Sequence, residues 1–218
     1  MITAFSTKKI SPIEIALLAY EIEVVQQGSS GVKMYHFTIA IGNTIFLDTH
    51  TDGVQYFNNL DLNLVVGVSG VLKDTFGTLS HLKSNTWKSI HQVEGQIPGF
   101  NIANNKVKDL KKNLEYVETE LKPFFYATVC NHDITQRALE ELKKDEMNPT
   151  KLGELMNEHH QILKSYLKIT PPLIDQMIDA ANNSGALGSK IVGSGGGGCI
   201  VSISEKDNQQ QIIQAIKA

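Results

Sequence analysis

The first amphipathic pattern in the chain predicts a helix near its start. Apolar residues recur at the spacing of one helix face at Ile15, Leu18, Ile22 and Val25. Ser11 can cap this helix, Pro12 suits its first position and Glu14 completes a capping box. The glycine- and serine-rich residues 27–31 then end it.

Short apolar runs predict strands on either side of a largely helical middle. Residues 44–47 and 62–68 read as strands, and residues 75–186 are expected to be mostly helical. One helical stripe comprises Leu79, Leu82, Ile90 and Val93, and a second comprises Val107, Leu110, Leu114, Val117 and Leu121. Two further helices have Pro149 and Pro171 near their starts.

The end of the chain combines strands with a glycine-rich loop. Residues 190–192 enter the loop, residues 200–203 form a strand after it, and a last helix carries Ile212, Ile213 and Ile216. Early strands, middle helices and a strand–loop–strand unit predict an α+β protein.

Composition narrows the class of protein without identifying it. The 218 residues are 41% hydrophobic and 20% charged, and the net charge of −3 gives no general attraction to nucleic acid or an anionic membrane. No apolar run approaches the length of a membrane span, and the N-terminus lacks a signal-peptide pattern. Cys130 and Cys199 lie too far apart in sequence to suggest a disulfide framework or a CxxC zinc site. We expect a cytoplasmic, reduced, metal-free protein.

The most specific feature is the loop Gly193, Ser194, Gly195, Gly196, Gly197, Gly198. Glycines permit positive φ angles and close approach to a ligand, and successive N–H groups can form a concave anion site, to which Ser194 adds a hydroxyl. The alternative is a flexible linker. The apolar strands on both sides favour a phosphate- or ligand-associated loop. It is not the loop of P-loop enzymes, because no Lys-Ser/Thr pair follows the glycines.

Several segments together resemble the GHMP kinases, and in particular their galactokinase-like sugar kinases. Residues 185–199 are similar to the third sequence motif of that family, and residues 156–163 and 169–175 are similar to the two segments before it. Residues 11–16 and 21–23 resemble the helix after the family's ATP-binding motif, and residues 68–70 with 73–75 resemble the strand and turn that enter its C-terminal lobe. The similar segments occur in the same order along nearly the whole chain.

This resemblance implies a GHMP-kinase fold, with part of the N-terminal lobe in residues 1–60 and a ferredoxin-like C-terminal lobe with added helices in residues 61–218. It implies phosphoryl transfer from ATP, with Mg²⁺, to a hydroxyl of a sugar, galactose being the first candidate. Ser194 and Gly195 to Gly198 would then form the phosphate-associated loop. The family's first two motifs, including its ATP-binding loop, are not found in the chain, so ATP binding and catalysis by this chain alone are not expected.

A second departure from the family concerns the catalytic base. Galactokinase-like members carry Gly-x-Met-Asp, whereas this chain has Val32 and Tyr35 at the glycine and aspartate positions. A free tyrosine has a pKa near 10 and is protonated at neutral pH, so Tyr35 is not expected to accept the substrate proton. Val32, Met34 and His36 are the candidates for contacts on the substrate side.

Two hypotheses of different classes follow. The chain is either an enzyme fragment that needs a separately encoded N-terminal half, or a non-catalytic remnant or sugar-binding regulator. An incomplete N-terminal lobe would leave Ile13, Leu17, Leu18 and Tyr20 without neighbours, which predicts a homo-oligomer or a complex with the missing half.

The remaining candidates favour structural roles. His159 shares a helical stripe with Leu152 and Leu163, which favours a packing histidine over a metal pair with His160. Asn131, Asp133 and Thr135 are interpreted as a turn and cap, and Cys199 as a small buried residue at the start of a strand.

Overall fold

The computed structural model describes residues 9–29, 31–58 and 60–217. The chain divides into two compact units, Met1–Asp61 and Leu62–Ala218. The first unit contains, in order, α1 (Pro12–Tyr20) continued by a π-helical turn (Glu21–Gln26), α2 (Lys33–Ile41), β1 (Thr44–Asp48) and β2 (Gly53–Phe57). Strands β1 and β2 form an antiparallel hairpin.

The start of α1 matches the capping box predicted from the sequence. The backbone N–H of Glu14 donates to Ser11 Oγ at 3.2 Å, and the Ser11 N–H donates to Glu14 Oε2 at 2.8 Å. Ala16 and Phe37 are fully buried in this unit, while Leu17 and Leu18 stay exposed. Ile13 and Tyr20 are half-buried. Association through this helix therefore stays a prediction.

Two elements of the first unit were not predicted. The segment around Met34 lies in helix α2, and β2 completes a hairpin of which only β1 was expected. Helix α2 begins without a side-chain cap and buries only Phe37, so its sequence carries no capping signal for its start. Strand β2 has an irregular burial pattern instead of the alternation that marks a strand.

The second unit is a three-stranded antiparallel sheet with helices packed against it. Its elements are β3 (Asn63–Val68), α3 (Thr75–Glu94), α4 (Leu110–Asn113), α5 (Lys122–Leu142), α6 (Pro149–Ile162) continued by a π-helical turn (Leu163–Leu167), α7 (Pro172–Asn183), β4 (Ala186–Ile191), β5 (Cys199–Ser204) and α8 (Gln209–Lys217). The strand order is β3-β5-β4. The predicted α+β class is confirmed. No helix within the described ranges combines the length and apolarity that crossing a bilayer requires.

The predicted helical stripe over residues 107–121 is wrong. The segment forms two 3-10 turns, Val107–Asp109 and Leu114–Tyr116, on either side of the four-residue α4. The buried amide of Asn113 donates to Asn105 Oδ1 at 2.7 Å. Leu110 is buried all the same, so its apolar character reflects packing and not a continuous helix.

The interpretation of Asn131, Asp133 and Thr135 as a turn and cap is also wrong, because all three lie inside α5. Thr135 Oγ1 donates back to the carbonyl of Asn131 at 2.8 Å, a bond compatible with a helix interior. Buried residues along α5, such as Phe125, hold the helix in place against these weak helix formers.

Two apolar clusters form the core of the second unit. The first lies among α3, α5 and α6 and includes Ile90, Val93, Phe125, Val129 and Leu155. The second lies between the sheet and helices α7 and α8 and includes Val65, Ile174, Ile191, Ile200 and Ile212. The strands before and after the glycine loop are thus anchored in the second cluster.

Helix α6 approaches strand β4 so closely that their backbones touch. A Cβ atom on Gly188 would overlap the carbonyl group of Gly153, and one on Gly153 would overlap the backbone of Leu187. Next to this contact, Asn157 Oδ1 accepts the backbone N–H of Ser189 at 2.9 Å. Helix α6 therefore covers the outer edge of β4.

We predict that Gly188→Ala lowers the free energy of unfolding by about 2–4 kcal/mol, because the added methyl group meets backbone atoms that cannot move independently. The matched control is Gly95→Ala. Gly95 ends α3 at φ −66°, and the nearest atom to an added Cβ lies 3.4 Å away. Urea denaturation of both variants measures the difference, and equal stability of the two would contradict the importance of the close approach.

Candidate functional site

The glycine loop between β4 and β5 has a backbone conformation that few other residues could adopt. The φ angles are +81° at Gly193, +82° at Gly195, +74° at Gly196, +143° at Gly197 and +84° at Gly198. Positive φ is strained for residues that carry a Cβ atom, so this run of angles explains why the loop is built of glycine.

Hydrogen bonds hold the loop in a fixed shape. The N–H of Gly196 donates to the Ile169 carbonyl at 2.7 Å, and the N–H of Gly198 donates to the Val71 carbonyl at 3.1 Å. In return, Gly198 O accepts both the N–H of Ser69 at 2.8 Å and its hydroxyl at 2.7 Å. These anchors, from two separate segments, are incompatible with a flexible linker.

The loop also fits against its neighbours without room for side chains. A Cβ atom on Gly197 would lie 2.7 Å from the Val71 carbonyl oxygen, and one on Gly198 would overlap the side chain of Lys73. Ser194 is buried, and its hydroxyl donates to the Gly195 carbonyl at 3.4 Å. Its side chain thus turns into the loop, whereas the sequence suggested a donor at the loop entrance.

Four backbone donors of the loop have no acceptor in the described part of the chain, and three of them, those of Ser194, Gly195 and Gly197, belong to buried residues. Within the described residues, the N–H groups of Gly193, Ser194, Gly195 and Gly197 donate to no acceptor. The ammonium group of Lys73 lies beside them and donates to the Val192 carbonyl at 3.0 Å. Unpaired N–H groups next to a cation suit an anion such as a phosphate. Sequence reasoning treated Lys73 only as part of a turn and missed this charge.

A buried polar network supports the strand that enters the loop. Ser189 Oγ lies 2.8 Å from Asn182 Oδ1 and 2.7 Å from Ser202 Oγ, and Asn182 Nδ2 donates to Asn157 Oδ1 at 3.1 Å. The network links α6, α7, β4 and β5 through side chains that the sequence pattern did not single out. It fixes β4 immediately before the glycines.

The histidine pair on α6 lies beside this network. His160 is 2% exposed and His159 is partly buried, and the sequence did not identify His160 as the more deeply buried member of the pair. His160 Nε2 lies 3.3 Å from Asp175 Oδ1, and Lys164 Nζ lies 3.2 Å from Asp175 Oδ2. Asp175 is in the first turn of α7.

Burial keeps both imidazole rings neutral. It lowers the pKa of His159 to about 4, and the nearby charges of Lys190 and His160 act in the same direction. Burial also lowers the pKa of His160, and the adjacent Asp175 carboxylate opposes that effect.

In the first unit, Met34 and Tyr35 lie in the first turn of α2 and Val32 is the residue just before it, and all three side chains are exposed. Partial burial raises the pKa of the Tyr35 phenol above its usual value. The phenol is therefore protonated at neutral pH and can donate a hydrogen bond.

His36, the fourth candidate of this segment, has a different environment. Its Nε2 lies 3.0 Å from Glu23 Oε2, and its ring packs edge-on against Tyr20 with 5.6 Å between ring centroids. Lys33, which the sequence did not single out, pairs with Asp52 at 2.6 Å and ties the start of α2 to the hairpin turn. His36 and Lys33 thus stabilise the segment that presents Tyr35. Tyr35 and the glycine loop belong to different units.

Comparison with known proteins gives a consistent result for both sequence and structure. Residues 137–218 match the family model described as GHMP kinases C terminal. A galactokinase of Fusobacterium nucleatum is 28% identical over 86% of this chain and 50% of that protein. A mevalonate kinase of Thermococcus onnurineus is 26% identical over 95% of this chain and 52% of that protein.

Several solved structures have the same fold as this chain, although their sequence identity to it is lower than that of the relatives named above. The galactokinase of Lactococcus lactis complexed with galactose has a TM-score of 0.85 and 20% identity, over 96% of this chain and 55% of that one. The Methanococcus jannaschii mevalonate kinase has a TM-score of 0.64 and 18% identity, over 99% and 56% of the respective chains. The chain thus spans about half the length of the relatives it matches.

We predict that His159 makes the fold sensitive to acid. Because its pKa falls from 6.5 to about 4 on folding, the unfolded state binds a proton first as the pH drops. Stability is then complete above about pH 6.5 and falls by about 2–3 kcal/mol on approach to pH 4. Urea denaturation from pH 4 to 7.5 should show a shallower pH dependence for His159→Gln, which keeps a polar side chain but cannot titrate. Identical profiles would contradict the assignment.

Proposed function

We propose that this chain, whose residues 137–218 belong to the GHMP kinases C terminal family and whose fold is that of GHMP kinases, forms the C-terminal half of an ATP-dependent small-molecule kinase. The glycine loop is the observation that carries the proposal. Its unpaired N–H groups and the adjacent Lys73 provide fixed positive charge for nucleotide phosphates.

The loop fits phosphate because its donors are already oriented before a ligand binds. Phosphoryl transfer depends mainly on positioning and on stabilising the charge of the transferred group. Preoriented N–H groups do both without moving at the moment of reaction. Mg²⁺ would accompany the nucleotide phosphates, as is usual for this cation.

The acceptor we propose is a hydroxyl of a sugar, with galactose as the first candidate. Mevalonate is the second, because mevalonate kinases match this chain at similar identity and over a slightly larger share of it. Both acceptors present an alcohol to ATP, so the loop serves the same purpose in either case.

Tyr35 limits the rate of phosphoryl transfer that we expect from this site. With the pKa of its phenol raised by burial, Tyr35 can hold a hydroxyl by a hydrogen bond but cannot remove its proton near pH 7. We therefore propose that transfer requires an ATP-binding loop that residues 1–218 do not supply, and that it is slow even then. The same residue supports the second candidate function, a regulator that binds a sugar without phosphorylating it.

We predict that Mg-ATP shifts the backbone amide NMR signals of Gly193, Ser194, Gly195 and Gly197 in the chain alone. Binding is expected to be weak, with a Kd of about 1–10 mM, because only part of a nucleotide site is present. Gly197→Ala should remove the shifts, since its methyl group meets the Val71 carbonyl. Gly95→Ala, remote from the loop, should retain them. Shifts that avoid the loop at about 10 mM nucleotide would contradict the proposal.

We predict that Tyr35→Asp raises kcat by at least about tenfold when the N-terminal half of Lactococcus lactis galactokinase is supplied as a separate chain. Aspartate suits this position, because a negative charge is favourable in the first turn of a helix. Tyr35→Asn is the matched control, since it has nearly the same shape as aspartate without the charge. The assay measures ATP-dependent phosphorylation of galactose and of mevalonate at saturating substrate.

The two candidate functions give different outcomes in this assay. A gain with Tyr35→Asp but not with Tyr35→Asn supports the kinase half. Nucleotide binding at the loop without transfer in any variant supports the regulator.

A further inference from the structure

A short turn, Ser69 to Lys73, follows strand β3 and contacts both ends of the glycine loop. At the exit of the loop, the Gly198 carbonyl accepts the N–H of Ser69 at 2.8 Å and its hydroxyl at 2.7 Å. At the entry, the Lys73 ammonium group donates to the Val192 carbonyl at 3.0 Å. The same turn therefore fixes the loop and carries the cation of the candidate phosphate site.

The hydroxyl of Ser69 uses both its donor and an acceptor position. While Ser69 Oγ donates to Gly198, it accepts the backbone N–H of Val71 at 3.1 Å. Both partners are backbone groups, so the hydroxyl fixes the path of the chain and not only the direction of a side chain. It also joins the turn to a loop that lies 129 residues away in the sequence.

Val71 is held through both of its polar backbone groups. Its N–H is bound to Ser69 Oγ, and its carbonyl accepts the N–H of Gly198 at 3.1 Å. Gly70, between Ser69 and Val71, has a φ angle of +70°, and no described atom lies within 4 Å of the position that a Cβ atom would take there. Packing around Gly70 thus does not impose the shape of the turn. The direction of the chain after Val71 depends on these hydrogen bonds.

The side chain of Lys73 lies across the exit of the loop. A Cβ atom on Gly198 would overlap Lys73 Cε. Leu72, between Val71 and Lys73, is 93% exposed and contributes almost no packing. On the other side, Asp74 caps α3 by accepting the N–H of Gly77 at 2.9 Å. The backbone of Lys73 is therefore placed between a capped helix and the hydrogen-bonded Val71.

We propose that Ser69 is a positioning residue of the candidate phosphate site, and that its hydroxyl keeps the Lys73 ammonium group over the glycine loop by fixing Val71. This assignment rests on the proposed function, in which Lys73 provides charge for nucleotide phosphates. A lysine has a flexible four-carbon stem, so its charge is well placed only if its backbone is. A cation placed before the ligand binds stabilises phosphate charge without reorganisation.

The first test measures the position of Lys73 without nucleotide. Ser69→Ala removes the hydroxyl and keeps the backbone N–H that bonds to Gly198. Ser69→Thr is the matched control, because it keeps a hydroxyl on the same carbon atom. The unmodified chain and Ser69→Thr should show a nuclear Overhauser effect between the ε-protons of Lys73 and the α-protons of Gly198. Ser69→Ala should lose it, and an undiminished signal in that variant would overturn the proposal.

The second test measures nucleotide binding by the same set of chains. Below saturation, the slope of the loop amide shifts against Mg-ATP concentration reports affinity. Ser69→Ala should lower this slope by about threefold to tenfold, as expected when one hydrogen bond to the ligand is weakened, and Ser69→Thr should preserve it. A slope for Ser69→Thr as low as that for Ser69→Ala would contradict the role of the hydroxyl.

A double variant separates positioning from general support of the loop. If Ser69 acts through Lys73, then Ser69→Ala combined with Lys73→Met should bind Mg-ATP no more weakly than Lys73→Met alone. Multiplied effects of the two substitutions would overturn the proposal, because Ser69 would then act on the loop independently of Lys73. An absence of loop shifts in the unmodified chain would contradict the proposed function instead. The Overhauser comparison would still decide whether Ser69 positions Lys73.

Discussion

The contact between the backbones of Gly153 and Gly188 determines most of the second unit. Because neither residue has a Cβ atom, helix α6 can lie directly on strand β4. This distance lets Asn157 reach the N–H of Ser189 and join the side chains that link α6, α7 and the sheet. Strand β4 is consequently held from its edge as well as by β5, and it enters the glycine loop in a fixed direction.

The glycine loop that follows β4 and forms the candidate phosphate site is also fixed in position. Its glycines adopt positive φ angles, and Gly196 and Gly198 are bound to Ser69, Val71 and Ile169, so part of the loop's hydrogen-bonding capacity serves the fold. The remaining N–H groups can serve a ligand because the others cannot move. A less anchored loop would have to become ordered on binding, at a cost in entropy. Structural and functional roles are thus divided among consecutive residues of one loop.

The first unit presents a contrasting arrangement around Tyr35. Lys33 and His36 each bond to residues distant in sequence, Asp52 and Glu23, and hold the start of α2. Tyr35 lies between them with its phenol exposed, and burial of the ring disfavours the phenolate. The segment that carries Tyr35 is therefore held in place, whereas Tyr35 itself lacks the charge that a base requires.

The sequence alone determined the α+β class, the capped first helix, the strand before Ser69 and the glycine loop between two strands. Each of these depends on local properties: hydrophobic period, capping residues and the unusual backbone freedom of glycine. Only the tertiary structure decided that residues 107–121 are not one helix, that His160 is buried more deeply than His159, and that Lys73 lies beside the loop. It also revealed that helix α6 covers the outer edge of β4. These features arise from contacts between residues far apart in the chain. The spacing of residues along one segment does not reveal such contacts.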